Sequence, residues 1–152
     1  MRLREFGVEL ILSDTSGTNL KLASDLLGLQ RTDGKPAVVL VAAPPKSVLS
    51  ILHEEFAKNP EAIFIEVGGI KSELLHEVEA FSELARNFVS VHPMAGREVG
   101  GAESARADLF QSRTWVYIPN DLDGNPVDPE LLTYGLWLIQ ALGAVPVAMQ
   151  AA

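Results

Sequence analysis

Short apolar runs alternate along the chain with stretches in which apolar residues recur every three to four positions, a pattern that predicts strands between helices. Val8-Glu9-Leu10-Ile11-Leu12 reads as the first strand. Thr18 is placed to cap a helix through Leu27, with Leu20, Ala23, Leu26 and Leu27 on one face and Gly28 as the stop. Ala37 to Ala43 is a continuous Val-rich run, as expected for a strand covered on both faces, and Pro44-Pro45 ends it. Lys46 to Lys58 reads as a helix with Val48, Leu49, Ile51, Leu52 and Phe56 inward. Ala62 to Val67 is the next strand, ending in Gly68-Gly69. Lys71 to Arg86 forms one helix on the spacing of Leu74, Leu75, Val78, Phe81 and Leu84. Phe88 to Val91 is a strand with His92 at its C-terminal end. A short helix over Ala102 to Phe110 and a strand over Thr114 to Ile118 follow. Asp128 caps a helix to Leu142, with Pro129 in its first turn and Gly143 just past its end, and Ala144 to Met149 is a last strand.

This alternation implies an α/β domain with a mainly parallel sheet. In such sheets ligands bind beyond the carboxyl ends of the strands. The strand ends here are Asp14, Pro44-Pro45, Gly68-Gly69 and His92, which would open towards one edge of the sheet and share a site.

Composition narrows the classes. The 152 residues suffice for one domain, and 47% hydrophobic with 21% charged residues is a globular balance. A net charge of −8 argues against nucleic acid and against an anionic membrane surface as partners. There is no cysteine, which excludes thiolate catalysis, disulfides and Cys-ligated metal, and agrees with a cytoplasmic address. Charged residues interrupt the N-terminal segment, so it does not read as a signal peptide, and no run is long enough to span a bilayer.

The candidate chemistry has bland readings beside the sharp ones. Asp14 after a first strand would accept the ribose hydroxyls of NAD and repel the extra phosphate of NADP, or it forms an Asx-turn. The Gly-x-Gly-x-x-Gly that normally precedes such an acid by about 20 residues does not occur before it. His53 and His76 lie among glutamates on helix surfaces. His92, before Pro93 at a strand end, is a candidate base or a structural histidine, and no second histidine nearby in sequence supports a metal site. Gly68-Gly69-Ile70-Lys71 is an anion-holding turn or an ordinary one.

Three stretches resemble the prephenate dehydrogenase family, arogenate dehydrogenases included. Val38 to Pro45 is similar to its strand ending in Ala-x-Pro. Glu66-Val-Gly-Gly-Ile-Lys71 is similar to its Asp-x-x-Ser-x-Lys turn. His92-Pro-Met-Ala-Gly-Arg-Glu98, with Ala107-Asp-Leu-Phe110 and Trp115-Val116 at matching intervals, is similar to its most specific signature. The resemblance runs from Gly7 to Met149. It implies a Rossmann-like fold with helices on both faces, and an oxidoreductase of tyrosine biosynthesis. The implied reaction is NAD(P)-dependent oxidative decarboxylation of prephenate or arogenate. By the same resemblance His92 accepts the substrate hydroxyl proton, and Lys71, Gly69 and Glu98 border the substrate. Asp14, Ala43, Pro44, Pro45 and Arg97 border the cofactor, which is NAD with NADP as the alternative, and no metal is involved.

The sequence departs from the family at three places. Gly69 stands where the family has serine. The first strand and glycine-rich loop are missing, so 1–152 is expected to be a single partial dinucleotide-binding domain. The family's C-terminal helical dimerisation domain is also not expected here. Such a fragment would be weakly active or inactive alone, with a homo-oligomer as a further expectation. Two other readings stay open. One is a non-catalytic binding or regulatory module that pairs with another chain; the other is a different hydroxyacid oxidoreductase of the same fold.

Overall fold

The computed structural model describes residues 2–29, 34–95 and 105–150. In chain order the elements are α1 (Arg2–Glu5), α2 (Gly17–Leu27), β1 (Val38–Val41), α3 (Pro45–Lys58), β2 (Ile63–Glu66), α4 (Ser72–Ala80), α5 (Ser82–Ala85), β3 (Phe88–Pro93), β4 (Thr114–Tyr117), α6 (Pro129–Ala141) and β5 (Val145–Ala148). The five strands lie side by side in sequence order. β1, β2 and β3 are parallel, β4 runs against β3, and β5 is parallel to β4. The mainly parallel sheet is therefore as expected, with one reversal between β3 and β4.

Side chains alternate across the sheet with period two and feed two cores. On one face Phe64, Phe88, Val116 and Ile118 pack with Val48 and Leu52 of α3, Leu75 and Val78 of α4 and Leu84 of α5. On the other, Ile65, Val89, Val91 and Trp115 pack with Leu131, Leu138 and Ile139 of α6. Helices thus cover both faces. Leu52, Phe64 and Ile139 are wholly buried, each stabilising the fold by about 1.5–3 kcal/mol relative to exposure.

Helix ends follow local chemistry. Pro45 occupies the first turn of α3, where its missing N–H costs nothing. Asp128 caps α6 by accepting the Glu130 N–H at 2.8 Å, and Gly143 beyond its end takes φ +75°, a left-handed conformation that glycine adopts without strain.

Several expectations are corrected. Val8 to Leu12 forms no strand: β1 pairs only with β2 among the described strands, and a short apolar run is not a strand until an edge pairs with it. Ser16, not Thr18, caps α2, accepting the Asn19 N–H through its hydroxyl. The apolar face of α2 buries none of its residues, with Leu26 56% exposed. β1 is covered on one face only: Val39 and Val41 join the core, whereas Val38 and Leu40 are exposed, the packing of α6 falling chiefly on β2 to β5. The single helix expected over Lys71 to Arg86 breaks at Phe81, whose backbone leaves the helical region and whose ring packs edge-on against Phe56 at 5.4 Å. The described part of the expected helix over Ala102 to Phe110, residues 105–110, consists of turns and coil.

Candidate active site

The parallel run β1 to β3 brings Pro44-Pro45, Gly68-Gly69 and the end of β3 to one side of the sheet. His92 lies within β3 rather than after it, paired with Val116 of the antiparallel neighbour. Alternation places Phe88, Ser90 and His92 on one face of β3, as it places Phe64 and Glu66 on the same face of β2.

Glu66 ends β2 at 1% exposure. A carboxylate there is costly unless it is paired and hydrogen-bonded, and both oxygens are engaged. Oε1 accepts the Gly68 N–H, and Oε2 meets the Lys71 ammonium at 2.5 Å. The same ammonium donates to the Val91 carbonyl at 2.7 Å. Lys71 retains 11% of its side-chain exposure, and burial lowers its pKa from 10.5 while the Glu66 charge pulls the other way. A Cβ on Gly68 would strike Glu66 Oε1, so any larger residue there would push the carboxylate off the Gly68 amide. Sequence reasoning missed Glu66; its signal was a lone acid in an otherwise apolar strand, which requires a partner, and a lysine five residues on.

The His92 ring sits over this turn. Its Nδ1 lies 3.1 Å from the Val67 carbonyl oxygen. A carbonyl only accepts, so the hydrogen of the neutral ring belongs on Nδ1 and the lone pair on Nε2. Nε2 faces Gly69: a Cβ at that residue would stand 3.3 Å from Nε2 and 3.2 Å from Cε1. Gly69 therefore leaves open the approach to the basic nitrogen. Ser90, one step inward on the same face, is also buried, and its hydroxyl has no hydrogen-bond partner among the described residues.

Ala43 packs against the core beneath α3, and Pro44 accepts the Ser47 N–H at 2.8 Å through its carbonyl. No side chain caps α3. Asp14 is exposed and accepts the Ser16 N–H at 2.7 Å, the Asx-turn geometry, and it follows an unpaired segment rather than a strand. His53 and His76 are exposed on helices, as expected. Arg97 and Glu98 lie outside the described residues. Among the described residues no group of three His, Asp or Glu side chains could hold a metal ion, and no helix is long and apolar enough to cross a membrane.

Comparison with known proteins converges on one family. The model of the prephenate dehydrogenase nucleotide-binding domain matches residues 1–134. A Streptomyces niveus protein described as a probable prephenate dehydrogenase is 30% identical over 154 residues, covering 99% of this chain and 41% of its own length. Prephenate dehydrogenase from Aquifex aeolicus, solved with hydroxyphenyl propionate and NAD+, superposes with a TM-score of 0.80 at 20% identity, over 99% of this chain and 54% of that one. Arogenate dehydrogenase from Synechocystis gives 0.76 at 22% identity, with the same 99% and 54% coverage. The two superpositions show the shared fold. The chain spans about half, or less, of the length of these relatives.

Proposed function

The chain belongs to the prephenate dehydrogenase family through its nucleotide-binding domain, and on that premise we propose that it carries the cofactor site and the proton acceptor for NAD-dependent oxidative decarboxylation of prephenate or arogenate. The observation that carries the proposal is the His92 ring, anchored through Nδ1 to the Val67 carbonyl with Nε2 facing the space at Gly69.

NAD supplies a hydride acceptor. The residues that would hold it include Pro44-Pro45 beyond β1 and Asp14 before α2. Gly69 leaves space beside the His92 ring, Pro44-Pro45 closes the neighbouring strand end, and the exposed Asp14 carboxylate favours ribose hydroxyls over a 2′-phosphate. His92 Nε2 takes the proton of the substrate hydroxyl as hydride leaves the ring carbon that bears it. The bond from ring to carboxylate breaks, its electron pair enters the ring, and carbon dioxide departs. The imidazolium then returns its proton to the phenolate oxygen of the aromatic product, so no net proton is released. Lys71 supports the substrate side through the turn it anchors, with Gly69 giving access to Nε2. Glu98 would border the substrate and Arg97 the cofactor.

The test is turnover of prephenate and arogenate, followed by NADH formation beside a panel of 2-hydroxy acids, for the natural sequence and His92→Asn. The substitution is expected to lower turnover at least about 100-fold, the usual scale for general-base catalysis. Unchanged turnover rules out His92 as the base, and turnover of the hydroxy acids alone rejects the substrate class.

A further inference from the structure

The hydrogen bonds around His92 form a closed circuit. The ring is held by the carbonyl of Val67, a residue between Glu66 and Gly68. Glu66 grips both sides of that peptide segment: its own backbone lies in β2, and its Oε1 accepts the Gly68 N–H two residues on. Its Oε2 holds Lys71, and Lys71 reaches across to the carbonyl of Val91, the residue before His92. The ion pair thus links the turn that supplies the acceptor for Nδ1 to the strand that carries the ring.

We infer that Glu66 and Lys71 are positioning residues that fix the His92 ring in its Nδ1–H form, and so select Nε2 as the basic nitrogen. The inference rests on the reading of His92 as proton acceptor and deepens it. A buried ion pair is weak evidence for stability, because two apolar residues of similar volume often serve as well. What apolar residues cannot do is orient the Val67 carbonyl through the Gly68 amide while tying Lys71 to Val91. Neither residue need touch substrate.

Nitrogen-15 NMR of the labelled full chain tests this. Long-range proton–nitrogen correlations distinguish the two neutral imidazole forms, and His53→Gln and His76→Gln assign the His92 signals. The natural sequence should show His92 as Nδ1–H. Glu66→Gln and Lys71→Met should lose that dominance, and Lys71→Arg should restore it in part because its guanidinium still donates. Should the single variants unfold, Glu66→Leu combined with Lys71→Met replaces the pair by apolar groups and should fold with the Nδ1–H preference lost. Persistence of the Nδ1–H form in any folded variant lacking the pair overturns the inference, as does an Nε2–H ring in the natural sequence. The result is independent of activity: unchanged turnover in His92→Asn would sink the catalytic reading while leaving the tautomer result intact.

Discussion

At residue 69 a single atom decides what meets the His92 ring. The space that glycine leaves is bounded by Cε1 and Nε2 of His92, so a serine hydroxyl there would fall within reach of the basic nitrogen. Its Cβ would press the ring by a few tenths of an ångström, a cost that any residue larger than glycine carries here. Gly69→Ser is therefore expected to raise NAD reduction above the natural sequence, provided its hydroxyl relays the substrate proton to Nε2 and does not merely block it. Gly69→Ala, with the same Cβ and no hydroxyl, should not. Steady-state rates of both variants check this; equal rates would show that the hydroxyl has no role. His92 was legible in the sequence because a histidine at a strand end before proline is distinctive and its flanking motif more so. Glu66 was not, because in sequence it is only a polar residue closing an apolar run; its partners are a backbone amide two residues away and an ammonium that folds back on it. Asp14 shows the opposite case: the Asx-turn was one of two readings the residues left open, and that geometry is present.

Among the elements, α6 packs closely on the sheet at Gly135. Gly135 faces Val89 and Val91 of β3, and a Cβ there would come within 2.7 Å of Val89 Cγ1. Gly135→Ala gains helix propensity, roughly 0.8–1.0 kcal/mol, yet overpacking a filled contact costs about 1–3 kcal/mol. Because Val89 lies in a central strand, overpacking should win. A net loss of stability is expected in denaturant melts, and an increase would show that helix and sheet can move apart freely. Most elements were readable from periodicity, since α3 and α6 each present a continuous apolar stripe and carry proline at the start. Val8 to Leu12 misled because strand formation depends on a partner edge, a tertiary fact. The break at Phe81 was hidden because Leu74, Leu75, Val78, Phe81 and Leu84 keep helical spacing across it, while the ring of Phe81 is committed to Phe56.

For the whole molecule, the outer strands set the behaviour. Among the described strands β1 has one hydrogen-bonded neighbour, and Val38 and Leu40 face outward at 38% and 45% exposure. At the opposite edge Val145 and Val147 of β5 are exposed as well. Open apolar edges pair with other chains unless charge blunts them. Concentration-dependent light scattering should show self-association that Leu40→Lys reduces, and equal association by the two proteins would exclude β1 as the contact. The sheet itself was foreseeable from alternating strands and helices, but the reversal at β4 was not, because no local pattern encodes strand direction. That reversal has a consequence for how long the connection can be. The segment from Met94 to Arg113 departs from β3 and returns beside it, its two ends pinned where the Met94 N–H meets the Thr114 carbonyl at 2.9 Å. Lengthening a segment closed in this way costs only about 0.6 kcal/mol per doubling. Insertions there leave every described strand pairing intact, which makes this stretch an inexpensive place for the chain to lengthen.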